Sequence, residues 1–93
     1  MAPTQYSTRL QLRNSTSQLL NVYFEPWGDL ITVSAGDEYE ARFSSPIDDC
    51  VCIEHADTHL AVWGWAGSTL LVTKGSDVVM RYDVAVPGGT TAK

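Results

Sequence analysis

Through most of this 93-residue chain, apolar and polar side chains alternate one for one, a period that fits extended strands and excludes amphipathic helices. Between Tyr6 and Arg13, Thr8, Leu10 and Leu12 fall on one side, with Ser7, Arg9, Gln11 and Arg13 on the other. Leu20, Val22 and Phe24 repeat the pattern against Asn21, Tyr23 and Glu25, and so do Tyr39, Ala41 and Phe43 against Glu38, Glu40 and Arg42. Short polar or glycine-containing stretches separate these runs, at Asn14 to Ser17, Gly36 and Asp37, Ala56 and Asp57, and Gly75 to Asp77. Pro26 has no amide hydrogen for a ladder and Gly28 tolerates positive φ, so Glu25 to Gly28 reads as a corner.

The pattern predicts strands over 6–13, 20–25, 29–34, 38–43, 50–55, 58–65, 68–73 and 78–86. Ile31 and Val33 should face inward, as should Val78, Met80, Tyr82 and Val84. In the fifth and sixth strands Val51, Ile53, Leu60 and Val62 share a face, and His55 lies on that core side. A hairpin of strands three and four would align Val33 with Tyr39, given an odd loop containing Gly36. A three-residue loop, Gly75 to Asp77, would set Val72 beside Met80. The segment 44–49, with Pro46, is long enough to carry the chain between sheets. Eight short antiparallel strands must cover one another's apolar sides, and the expected fold is all-β: a single antiparallel β-sandwich, with a small closed β-barrel as the alternative. One domain over 1–93 is expected, with 1–5 and 87–93 as mobile tails.

Composition narrows the partners. Hydrophobic residues make up 44% and charged residues 18%, an ordinary globular balance. Six Lys and Arg against eleven Asp and Glu give a net charge of −5, the wrong sign for tracking phosphates, so nucleic acid is not expected. No apolar run is long enough to span a bilayer, and Met1 to Tyr6 lacks the pattern of a signal peptide. A cytoplasmic protein without membrane partners is the expectation, and the Asn14-Ser15-Thr16 sequon carries no meaning there.

Chemistry-bearing residues gather around the fifth and sixth strands. Cys50 and Cys52 lie one residue apart, and hairpin pairing puts Glu54, His59 and Trp63 on the same side. Two thiolates and an imidazole suit zinc or copper, but a single C-x-C is weak support, and two small, partly covered thiols are the plainer reading. Alternate strand residues sit nearly 7 Å apart by Cα, at the limit for a disulfide, so reduced thiols are expected. His55 and His59, with Asp48, Asp49 and Asp57, form no catalytic motif, and Asp48 and Asp49 lack calcium-loop spacing. Neither enzymatic activity nor a cofactor is expected. Trp63 and Trp65 flank Gly64, so on a regular strand both indoles face outward together, whereas a bulge at Gly64 would turn one into the core.

The run L-N-V-Y-F-E-P-W-G over Leu20 to Gly28, then Gly36, then Val62-Trp63-Gly64-Trp65, resembles a set of small uncharacterised bacterial proteins with an E-P-W-G corner. That resemblance implies a bacterial origin and a compact β-fold, and supplies no activity.

The function these residues suggest is a non-catalytic protein-interaction or self-association module, acting through an aromatic face or an unpaired sheet edge. Its candidate binding residues are Trp63, Trp65, Trp27, Glu54 and His59. The alternatives are carbohydrate or small-ligand binding through exposed Trp residues, and metal binding through Cys50, Cys52 and His59. The acidic balance adds an inhibitor-like protein that caps a basic partner.

Overall fold

The computed structural model describes residues 5–87. Its strands are β1 (Tyr6–Arg13), β2 (Leu20–Glu25), β3 (Asp29–Val33), β4 (Glu38–Ser45), β5 (Cys52–His55), β6 (His59–Trp63), β7 (Thr69–Lys74) and β8 (Asp77–Tyr82). They form two four-stranded sheets, a first of order β1-β4-β7-β8 and a second of order β3-β2-β6-β5, and neither closes into a barrel. The fold is the expected β-sandwich. Most of the proposed tails, residues 1–4 and 88–93, lies outside the described residues.

The inward side chains of both sheets meet in one core. Leu12, Ala41, Phe43, Leu70 and Val72 come from the first sheet, and Val22, Phe24, Ile31, Val33 and Val62 from the second. Alternation therefore places every central strand as its sequence requires.

Pairing differs from expectation where the chain changes sheets. Strands β3 and β4 form no hairpin: β3 pairs with β2, while β4 pairs with β1 and β7. The connection between them is instead fastened to the end of β1, where the Asn14 amide donates to Asp37 O (3.1 Å) and the Gly36 amide donates to Asn14 O (2.8 Å). The 46–51 connection then returns the chain to the second sheet. Because β6 arrives after this excursion, it lies beside β2 in the same direction, and Asn21 to Glu25 face His59 to Trp63 in parallel register. This parallel pair is the exception to the antiparallel expectation.

Several residues expected inside are outside. Val78 and Val84 are 55% and 81% exposed. A two-residue turn at Gly75 and Ser76 aligns Lys74 with Asp77, and a bulge one step later restores Val72 opposite Met80. The extra residue leaves Val78 and Val79 both on the outer side, and Val84 lies past the end of β8 at Tyr82. Ile53 and His55 belong to β5, a four-residue edge strand whose side chains are all exposed.

Candidate binding groove

At one end of the second sheet, four segments surround a groove of about 570 Å³. Pro26 comes from the β2–β3 corner, Asp49 and Cys50 from the connection ahead of β5, Gly64 to Ala66 from the turn after β6, and Val86 and Pro87 from beyond β8. Cys52, Glu54 and Trp63 complete the wall from β5 and β6.

Ladder register explains why Trp63 dominates the groove. It sits opposite Glu25 on β2 and opposite Cys52 on β5, and Glu54 faces its neighbour Ala61. The indole is 39% exposed, with a carboxylate strand position beside it. Glu54 and Asp49 are the charged residues of the lining, and among the described residues no Lys or Arg lines it. The Asp49 side chain also accepts the Cys50 amide (2.8 Å), which fixes the approach to β5.

Trp65 behaves differently, and the two indoles do not share a face. Strand β6 stops at Trp63; the Gly64 amide donates to Glu25 O (2.8 Å), and the Trp65 and Ser68 backbones close a tight turn (2.9 Å). Ser68 Oγ, itself buried, donates to Trp65 O (2.7 Å) and accepts the Trp65 amide (3.1 Å). Trp65 is thereby turned into the core at 6% exposure, packed on Phe43, with Nε1 donating to Ile47 O (2.8 Å). Gly64 permits the turn by its size: a Cβ there would lie 2.8 Å from Ser68 Oγ and 2.9 Å from Trp27 Cη2.

Of the other candidates, Trp27 is not part of the lining; it is half-buried and stacked on Tyr82 with ring centroids 5.3 Å apart. His59 stands apart, half-buried and edge-on to Tyr23 at 5.0 Å. It sits four positions from Trp63 along β6, about 13 Å at strand rise, so Cys52 and His59 do not converge. Cys50 and Cys52 are exposed free thiols, and among the described residues no three His, Cys, Asp or Glu side chains form a cluster that could hold a metal.

Of the binding candidates read from the sequence, Glu54, Trp63 and Trp65 line the groove and Trp27 and His59 do not, while Pro26, Asp49 and Val86 line it without having been among them. Pro26 had a signal in the E-P-W-G corner. Val86 had none, since its place depends on the Val86 amide donating to Ser68 O (3.0 Å) and on Val86 O accepting the Gly67 amide (2.9 Å).

Charge is divided between the sheets. Every described Lys and Arg, namely Arg9, Arg13, Arg42, Lys74 and Arg81, lies on a strand of the first sheet. Asp37, Glu38, Glu40, Asp77 and Asp83 accompany them, so that side is near neutral. Glu25, Asp29, Asp48, Asp49, Glu54 and Asp57 fall on the second sheet and the segments bordering it, with no cation among them. The groove lies on the side where the negative charge of the chain resides.

No described helix is long and apolar enough to cross a membrane. No family model matches the chain, and no curated protein or solved structure shows significant similarity to it.

Proposed function

We propose that this chain is a non-catalytic interaction module that takes a cationic, extended segment of a protein partner into the groove beside β5. The observation that carries this reading is the exposed Trp63 indole in a groove whose charged lining residues are Glu54 and Asp49, with Glu25 its ladder partner and no Lys or Arg on the second sheet among the described residues. An indole face attracts guanidinium or ammonium groups, and charge-assisted hydrogen bonds to carboxylates orient them. Among the described residues strand β5 has one side unpaired, which offers backbone groups to an incoming strand. The exposed thiols of Cys50 and Cys52 suit a reducing, cytoplasmic setting.

The test is a screen of extended peptides bearing Arg or Lys at alternate positions, read by fluorescence anisotropy at low salt. Binding should weaken at least tenfold in Trp63→Ala and more modestly in Glu54→Gln. If no cationic peptide binds, or binding ignores Trp63→Ala, the reading fails. A glycan panel that shifts Trp emission while peptides do not would replace it with the carbohydrate alternative.

A further inference from the structure

We infer that the cationic partner of the groove is the row of arginines on the outer face of the first sheet of a second copy of this chain, docked head to tail. The inference rests on the Trp63 and carboxylate recognition of the groove reading above, and names as its partner a row of side chains on a sheet face in place of an extended segment. Register places Arg9 directly opposite Arg42, Arg42 opposite Leu71, and Leu71 opposite Arg81. All three arginines lie on the outer surface, since their strand neighbours point into the core or toward it. Like charges directly opposite on a sheet repel, and an anionic partner relieves that repulsion. Within the chain, Arg42 is paired with Glu40 (3.4 Å), whereas among the described residues Arg9 and Arg81 form no ion pair. The row spans about 14 Å, three strand spacings, and is broad enough to engage several carboxylates at once.

The surface that complements this row is on the same molecule, facing the other way. Six acidic residues and Trp63 lie on the second sheet's side, and stacked sheets are about 10 Å apart before side chains are added, beyond the roughly 8 Å screening length at physiological salt. One copy cannot join its own two faces, but a neighbour can. Such an interface is heterologous, so association is open-ended and grows with concentration instead of stopping at a symmetric dimer.

Sedimentation velocity tests this with two variants made at exposed positions. Arg9→Gln/Arg81→Gln disables the basic row, and Asp49→Asn/Glu54→Gln disables the groove. Wild-type protein should sediment faster as concentration rises at low salt and revert to single-copy mass at about 0.5 M NaCl, where screening shortens to a few ångströms. Each variant alone should remain a single copy with unchanged circular dichroism. Mixed in equal amounts they should form a one-to-one dimer and nothing larger, because only one competent pair of faces remains. Wild type that stays a single copy at low salt, variants that still self-associate, or a mixture without dimer would each overturn the inference. If the wild type is a single copy yet binds Arg-bearing peptides through Trp63, the second copy is excluded and the groove reading stands. Loss of peptide binding as well removes both.

Discussion

Asn14 shows how much of the fold can hang on one side chain. Buried at 2% exposure, it donates from Nδ2 to Gln18 O (2.6 Å) and Val33 O (2.9 Å). Its Oδ1 accepts from the Thr16 amide (3.0 Å) and hydroxyl (2.7 Å), so no hydrogen-bonding capacity is left over. These bonds tie the β1–β2 loop to the end of β3 on the other sheet. Asn14→Ala should lower stability by about 2 kcal/mol, seen as a reduced urea midpoint, because buried carbonyls lose their donor. A second pair acts through charge. The Lys74 ammonium is raised above its ordinary 10.5, first by its hydrogen bond to Asp37 (3.0 Å) and then by the Asp37 charge. A raised folded-state value means the pair's contribution is fully present below the unfolded value and fades as pH rises through the folded one. Asp37→Asn should therefore flatten stability against pH on the alkaline side, measured by thermal melts from neutral to strongly basic buffer.

At the scale of the element, the end of β6 decides which aromatic ring is available to a ligand. Two indoles separated by one residue would share a face on a regular strand, but the Gly64 turn sends Trp63 outward and Trp65 inward. Trp65→Ala should cost about 3 to 5 kcal/mol as a buried large-to-small change. Trp63→Ala should cost far less and act on binding instead, and acrylamide should quench mainly Trp63 in the wild type. Gly64→Ala should destabilise by about 1 to 3 kcal/mol, since the added methyl meets Ser68 and Trp27 at close range. Comparing guanidinium midpoints of the three variants checks that order. The bulge on β8 has a similar local effect: one additional residue exposes Val78 and Val79 on an edge strand while keeping Met80 and Tyr82 half-buried. Sequence alternation showed that β6 and β8 are strands. It did not show where they break, because a turn hydrogen-bonded through Ser68 or a bulge changes facing without changing the residue order.

Across the whole molecule, charge separation is the property that function draws on. A near-neutral first sheet and an acidic second sheet predict that capture of a cationic peptide slows steeply with added salt while its dissociation changes less, as stopped-flow fluorescence would show. Equal salt sensitivity of both rates would argue against steering. This arrangement could not be seen along the chain, where Arg9, Arg42 and Arg81 are far apart and flanked by unremarkable neighbours. By itself the sequence determined that the protein is all-β and which side chains form the core of the central strands, since a period of two leaves one consistent facing; the Ile53–Val62 register and the exposure of Ile53 came only with the fold. Tertiary structure alone decided the strand order, the parallel β2–β6 pair, the inward turn of Trp65 and the row of arginines. The Trp65 turn depends on hydrogen bonds through Ser68, the others on which strands become neighbours after long excursions, and alternation records the side a residue faces but not what lies next to it.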